Sequence, residues 1–266
     1  MMEPAAVFTS PQTAEAQQNA AQAEQGPRVA TLAPLLSVVV PTRNEEGNVT
    51  PLCAHLAAAL PAGDAEIIFV DDSDDATPEQ VGVVAARMAL PVRLIHRPPA
   101  RRGDGLGGAV VEGIRAARGT WVCVMDGDLQ HPPALIATML ATARTDGHDL
   151  VVASRFRPGG DARGLRPVRL LLSWLGRQGA RVLFPGPLSA VSDPMSGFFL
   201  VRREAVDCDR LRPRGFKILV EILVRTPRLT VGEVGFHFGE RLSGNSKAGA
   251  REATRYVAQL LSARFG

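Results

Sequence analysis

Short apolar runs recur along the chain, and each is followed by a polar loop and then by a stretch of helical spacing. Five of these runs are predicted to be strands, at residues 35–40, 67–70, 92–96, 121–125 and 150–154, and the run at 121–125 is predicted to be buried on both faces. Helices are predicted between them, through 55–60, at about 78–89, up to residue 117 and from about 133. This alternation predicts an α/β fold in which helices flank a doubly wound, mostly parallel sheet with right-handed crossovers.

The second half of the chain continues the pattern less regularly. Strands are predicted at 198–201 and 231–238, with a helix at 215–224 between them. Two stretches combine apolar residues with arginines and are predicted to be amphipathic helices, at 165–184 and 251–265. The predicted organisation is a disordered N-terminal tail at 1–34, a folded domain at 35–248 and a C-terminal amphipathic helix at 249–266.

Four of the predicted strands end in polar loops, at 43–46, 71–75, 97–108 and 126–130. The carboxyl ends of parallel strands share one edge of a sheet, so these loops should form a single crevice, where open α/β sheets bind ligands. Carboxylates, arginines and glycines in one crevice are typical of a metal-dependent nucleotide site. The loop at 97–108 is rich in glycine, but it does not follow the first strand with a dinucleotide-binding fingerprint, and it has no Walker lysine. A dinucleotide dehydrogenase and a P-loop ATPase are therefore disfavoured.

Two carboxylates, Asp126 and Asp128, directly follow the most apolar of these strands. With Gln130 they form an all-oxygen donor set, which suits Mg²⁺ or Mn²⁺ better than a soft metal. Gly127 between them would let a diphosphate approach the backbone closely. The alternative is an acidic turn that only caps the helix beginning near residue 133, and the sequence leaves it open.

Composition and charge narrow the class of protein. The chain has 266 residues, of which 45% are hydrophobic, enough for one large domain or two small ones. Its three cysteines are isolated, which predicts a reduced cytosolic protein without structural disulfides or zinc. We see no signal-peptide pattern and no apolar run near the roughly 20 residues that span a bilayer.

The net charge of +3 conceals one strongly basic stretch. Seven arginines lie between residues 155 and 181, against the single acidic residue Asp161. Such a stretch implies an anionic partner. Because its arginines alternate with leucines and Trp174, the helix at 165–184 is predicted to lie in a membrane interface, with its arginines on lipid phosphates. The alternative is an ordinary surface helix with solvated arginines. Nucleic acid is a poor candidate, since aromatic residues for base stacking are few.

Seven motifs then appear in a fixed order, namely PTRNEE (41–46), FVDDSDDATPE (69–79), RRGDGLGGA (101–109), MDGDLQHPP (125–133), VVASRF (151–156), SDPMSGFFLVRR (192–203) and FGERLSGNSK (238–247). Together they resemble the family 2 glycosyltransferases, and within them the polyprenol-phosphate (dolichol-phosphate) mannosyltransferases. The resemblance covers residues 37–247. It implies a glycosyltransferase A-type fold for the domain at 35–248 and a metal-dependent, inverting transfer of a hexose.

The resemblance also implies a role for individual residues. The nucleotide pocket would contain Pro41, Thr42, Arg43 and Glu45, while base and ribose would be read by Asp71 and Asp72. The cation bridging the diphosphate would be held by Asp126, Asp128 and Gln130. The phosphate of the acceptor would be gripped by Arg155, Arg169 and Ser173. A loop that closes over the diphosphate would contribute Arg241 and Lys247.

The expected partners are a sugar nucleotide, first of all GDP-mannose, and a polyprenyl or dolichyl phosphate at the cytoplasmic face of a membrane. A phosphate monoester has a second pKa near ~6 and is largely dianionic at neutral pH, so it can attack the sugar C1 without a protein base. We expect a protein bound peripherally to that membrane, with a separate anchoring protein as a further expected partner. The alternatives are a UDP-glucose donor, a non-lipid acceptor, or a catalytically silent nucleotide-binding scaffold.

Overall fold

The computed structural model describes residues 34–61, 63–161, 178, 184–186, 188–189, 191–213, 217–237 and 239. Its strands are β1 (Leu36–Thr42), β2 (Ala65–Asp71), β3 (Val92–His96), β4 (Trp121–Val124), β5 (Leu150–Ser154), β6 (Phe199–Arg202) and β7 (Val231–Gly235). Its helices are α1 (Glu46–Ala59), α2 (Thr77–Ala85), α3 (Gly105–Ala116), α4 (Leu135–Asp146) and α5 (Ile218–Arg225). Short 3₁₀ helices cover Pro99–Asp104 and Arg203–Ala205.

The seven strands form one sheet in the order β3-β2-β1-β4-β6-β5-β7. Strands β1 to β4 are parallel to one another, and β5 is parallel to β7. Strand β6 lies between β4 and β5 and is antiparallel to both. The predicted doubly wound, mostly parallel sheet is therefore confirmed. Because β6 runs against its neighbours, β4 and β5 still point in the same direction.

The apolar core lies on both faces of the sheet, which explains why the inner strands β1, β4 and β5 are largely apolar and fully buried. Successive residues of a strand point to opposite faces. In β1, for example, Val39 packs in the layer beneath α3 and α5, and Val38 and Val40 pack in the layer beneath α1, α2 and α4. All three valines are fully buried.

Strand β1 is longer than predicted, since Pro41 was expected to end it and instead lies within it. The carbonyl of Val39 accepts a hydrogen bond from Met125, so Val39 and Pro41 direct their backbone groups toward β4. Strand β4 has ended by that level. The missing N–H of Pro41 therefore breaks no ladder hydrogen bond, which is the condition under which a strand tolerates proline.

Within the described residues, no helix combines the length and the apolar character required to cross a membrane. The predicted helices at 165–184 and 251–265 fall outside the described residues, apart from two of their positions, 178 and 184. The proposed tail at 1–34 and the C-terminal boundary at 248 likewise stay predictions.

Candidate active site

The four predicted loops do meet at one edge of the sheet. Thr42 at the end of β1 lies opposite Asp71 at the end of β2, and Asp71 lies opposite His96 at the end of β3. Strand β4 is parallel to these and delivers the acidic loop, residues 126–130, to the same edge. Strand β5 also ends there, so Arg155 joins the crevice.

Asp71 is a buried carboxylate that connects the first three strand ends. Its Oδ1 accepts hydrogen bonds from the hydroxyls of Thr42, at 2.8 Å, and of Ser73. Its Oδ2 accepts the backbone N–H of Ser73 at 3.2 Å and lies 2.7 Å from Nδ1 of His96. Asp71 thus ties the three loops together, and its own side chain is fully buried.

Asp72 forms a two-point ion pair with Arg97, a residue to which the sequence analysis gave no role. Nε and Nη2 of Arg97 donate to the two carboxylate oxygens at 2.7 and 2.6 Å. Nη1 donates to Asp104 at 2.8 Å. Burial alone would lower the pKa of Arg97, but these hydrogen bonds and charges raise it. The sequence did contain one indication that Arg97 belongs to the site, since Arg97 directly follows the end of β3.

Side chains also tie the first two loops together. Asn44 has a left-handed backbone (φ 55°), which asparagine tolerates better than most residues. Its N–H donates to Oγ of Ser73, and its side-chain oxygen accepts from the N–H of Asp74. The N–H of Glu45 donates to Oγ1 of Thr77. The exposed Arg43 follows the buried end of β1. The two loops predicted to form the nucleotide pocket, here called the nucleotide cup, are therefore joined to each other by hydrogen bonds.

The acidic loop presents both of its carboxylates at this edge. Asp126 is partly exposed, whereas Asp128 is buried and accepts the N–H of Gln130 at 3.2 Å. Leu129, between Asp128 and Gln130, has φ 64°, a strained backbone conformation for leucine of the kind found at functional turns. Helix α4 begins only at Leu135, and no described side chain caps its first turn. The interpretation of this loop as a helix cap is wrong.

Gln130 is fixed by the backbone beyond β7. The side-chain amide of Gln130 donates to the backbone carbonyl of Gly239 at 3.1 Å. In return, the N–H of Gly239 donates to the backbone carbonyl of Gln130 at 3.0 Å. The side chain of Gln130 is thereby held in place by Gly239. Gly127 is packed against β1, where a Cβ would lie 3.2 Å from Cγ2 of Thr42. Close packing is thus a second reason for glycine at this position.

His131 lies directly beneath the acidic loop and is buried. Its Nδ1 accepts a hydrogen bond from the backbone N–H of Asp126 at 3.0 Å. The ring stacks on Phe198 at 5.0 Å between centroids and meets the edge of Phe236 at 5.7 Å. Burial lowers the pKa of His131, although the charges of the neighbouring carboxylates act in the opposite direction.

Arg155 lies across the crevice and is oriented by a carboxylate that the sequence analysis missed. Asp193 is 1% exposed and accepts Nε and Nη2 of Arg155 at 2.7 and 2.9 Å, and its backbone N–H at 3.3 Å. Next to this pair, Ser192 bonds Ser154 and the buried carboxylate of Glu233. The signal in the sequence was a lone carboxylate in the SDPMSG turn, whose partner lies far away along the chain.

Four predicted site residues, Arg169, Ser173, Arg241 and Lys247, lie outside the described residues, so their roles stay predictions. Among the residues described, no cluster of three or more histidine, cysteine, aspartate and glutamate side chains could hold a metal. The predicted set differs in kind, because it has two carboxylates and one amide. Carboxylate and amide oxygens are ligands that hard divalent cations accept.

Comparison with known proteins gives consistent matches. A family model described as "Glycosyl transferase family 2" matches residues 37–210. The dolichol-phosphate mannosyltransferase of Saccharomyces cerevisiae is 36% identical over 84% of this chain and 85% of its own length. That of Pyrococcus furiosus is also 36% identical over 84% of this chain, which spans only 61% of that relative. The undecaprenyl-phosphate mannosyltransferase of Micrococcus luteus is 31% identical over 79% of this chain and 85% of its own length.

Among solved structures, the chain resembles glucosyl-3-phosphoglycerate synthase from Mycobacterium tuberculosis, determined with Mn²⁺, uridine diphosphate and glucosyl-3-phosphoglycerate. The TM-score is 0.63 at 22% identity, covering 97% of this chain and 86% of that one. At that identity the likeness establishes the fold alone. It is the glycosyltransferase A-type fold that the motifs predicted.

Proposed function

Because the chain belongs to glycosyl transferase family 2, we propose that it transfers mannose from GDP-mannose to a polyprenyl phosphate such as dolichyl phosphate. The observation that carries the proposal is the arrangement at one sheet edge. The acidic loop with Asp126 and Asp128 lies at the same sheet edge as the guanidinium of Arg155, which a buried carboxylate orients. The relatives named as dolichol-phosphate and undecaprenyl-phosphate mannosyltransferases support the choice of sugar and acceptor.

On the donor side, Asp126, Asp128 and Gln130 would hold Mg²⁺ or Mn²⁺. When bound, the cation supplies positive charge that stabilises the leaving diphosphate. The nucleotide would occupy the cup formed by 41–45 and 71–72. Since Asp71 and Asp72 are already hydrogen-bonded to neighbouring loops, the cup is preorganised and loses little conformational freedom when the nucleotide binds.

On the acceptor side, Arg155 binds the phosphate of the lipid, together with Arg169 and Ser173. The acceptor phosphate is itself the nucleophile. One of its oxygens forms a bond to the sugar C1 while the bond from C1 to the diphosphate breaks, so the configuration at C1 inverts. The dianionic phosphate needs no protein base. Arg241 and Lys247 would close over the diphosphate.

The acceptor lipid places the reaction at a membrane surface, and the sugar nucleotide places it on the cytoplasmic side. We infer peripheral association through the arginine-rich stretch at 165–184, since cationic helices with apolar faces bind anionic lipid surfaces. A separate membrane protein that anchors the enzyme is a further proposed partner.

The test is sugar transfer from radiolabelled GDP-mannose and, separately, UDP-glucose, with polyprenyl phosphate in detergent and Mg²⁺ or Mn²⁺ present or chelated. Label should enter the lipid fraction from GDP-mannose only, and chelation should abolish it. Label from UDP-glucose alone would replace the donor. If GDP binds but no label reaches the lipid, the acceptor is wrong. If no nucleotide binds, the whole assignment fails.

A further inference from the structure

We propose that His131 is a positioning residue, whose ring fixes the backbone of Asp126 and thereby the direction in which the acidic loop presents its two carboxylates. The inference deepens the proposed function, on which it rests, because it concerns how the proposed cation site is kept in shape. His131 is not among the residues to which that function assigns a contact with substrate or cation.

The hydrogen bond to Asp126 defines the state of the imidazole. A backbone N–H can only donate, so Nδ1 of His131, 3.0 Å away, must carry a lone pair. In the neutral ring the proton is then on Nε2. The N–H that is held in this way belongs to the first carboxylate residue of the loop. A rotation of the Asp126 peptide would redirect its side chain and would break this bond.

The ring itself has little freedom to move. His131 is 2% exposed. Phe198 covers one face at an interplanar angle of 19°, and Phe236 approaches at 69°. The two phenylalanines also meet edge to face at 5.9 Å. Phe198 precedes β6 and Phe236 follows β7. The ring therefore anchors the acidic loop to two strands from the part of the sheet that carries Arg155.

A second contact ties Asp126 to the same place. Gly197 directly precedes Phe198, and a Cβ on Gly197 would lie 3.0 Å from Oδ2 and 3.2 Å from Oδ1 of Asp126. The carboxylate thus lies directly over the backbone of the turn whose next residue stacks on His131. The backbone of Asp126 is linked to Phe198 through the imidazole of His131. Its carboxylate lies against Gly197, which has no side chain to push it away.

A buried histidine can also serve merely as a flat filler of the core, and substitution separates the two roles. His131→Phe keeps a ring between Phe198 and Phe236 but removes the acceptor. His131→Asn removes the ring but leaves an oxygen near the position of Nδ1. A packing role predicts that phenylalanine is the better replacement, whereas a positioning role predicts asparagine. His148→Asn, at the opposite edge of the sheet before β5, is the matched control.

The experiment measures Mn²⁺ affinity in the presence of GDP, from the electron paramagnetic resonance signal of free Mn²⁺, on the unchanged 266-residue chain and the three variants. Loss of a residue that orients metal ligands weakens metal binding by about 10- to 100-fold. We expect a loss of that size for His131→Phe, a smaller loss for His131→Asn and none for His148→Asn. The kcat for transfer should fall in the same order, with the KM for polyprenyl phosphate unchanged.

Three results would overturn the inference. Equal Mn²⁺ affinity in His131→Phe and the unchanged protein would do so while leaving the proposed function intact. A better retained affinity in His131→Phe than in His131→Asn would show that packing is what matters. If the unchanged protein transfers mannose but binds no Mn²⁺ with GDP, the proposed cation site and this inference fail together.

Discussion

Replacing Asp193 with alanine would remove the carboxylate that orients the guanidinium of Arg155, a side chain in a nearly buried position. The side chain of Arg155 is 11% exposed and that of Asp193 is 1% exposed. Three hydrogen bonds from Arg155 would be lost at once. The substitution should therefore impair both the stability of the domain and the use of the acceptor.

The size of the effect follows from burial. Removing one partner of a buried ion pair costs about 3–5 kcal/mol, because the remaining charge is desolvated and unpaired. Since Arg155 retains a little contact with solvent, we expect a loss near the lower end, about 3 kcal/mol. That is a large part of the roughly 5–15 kcal/mol by which a domain of this kind is stable.

Urea unfolding followed by circular dichroism measures the change, with Asp209→Ala as the control. Asp209 pairs with Arg115 at 2.6 Å, a similar distance, but the two side chains are 89% and 52% exposed. An exposed pair contributes about 0–1 kcal/mol. The double variant Arg155→Leu/Asp193→Leu should recover much of the stability, because neither charge is then buried alone, yet it should not restore transfer.

Two outcomes would contradict this reasoning. If Asp193→Ala and Asp209→Ala lose the same free energy of unfolding, the pair does not behave as a buried one. If the double variant transfers mannose at the rate of the unchanged protein, Arg155 does not bind the acceptor phosphate.

Three further predictions test other parts of the molecule. Asp128→Ala should abolish label transfer with little change in the circular dichroism spectrum, and metal-dependent turnover by this variant would refute the cation role. Arg169→Ala should raise the KM for polyprenyl phosphate more than the KM for the nucleotide sugar, and unchanged acceptor kinetics would argue against contact with the phosphate. Gly113→Ala should destabilise by about 1–3 kcal/mol in urea unfolding through overpacking, because its Cβ would lie 2.3 Å from Cγ1 of the buried Val39. Gly82→Ala, with open space around the new Cβ, should match or exceed the stability of the unchanged protein.

The part of the fold that was predictable is the part built from local pattern. Strands β3 and β5 have the predicted bounds. The apolar run of β5 is buried along its whole length, as is typical of a strand covered on both faces, whereas β3 is a partly exposed edge strand. The crevice followed from one further rule, that parallel strands end at one edge. The apolar run of β6 is compatible with a parallel as well as an antiparallel strand, so its antiparallel direction could not be predicted from the sequence.

Contacts between residues far apart in the chain also could not be predicted from the sequence. Arg155 and Asp193 are separated by 38 positions, and Arg97 and Asp72 by 25. Each residue alone is an ordinary charge on a loop, and only the tertiary fold makes it a partner. His131 shows the intermediate case: the motif that contains it was recognised, but the hydrogen bond from the backbone of Asp126 depends on a turn at Leu129 that propensity disfavours.

The reversed direction of β6 has a consequence for how such a protein can diversify. Strand β5 ends, and β6 begins, at the same edge of the sheet. The connection between them therefore starts and finishes beside the crevice and has no need to cross the sheet, unlike every connection among β1 to β4. Residues can be inserted, deleted or exchanged there without rethreading a strand or shifting its register. During evolution the nucleotide cup can therefore stay unchanged while the sequence of this one connection changes to fit a new acceptor.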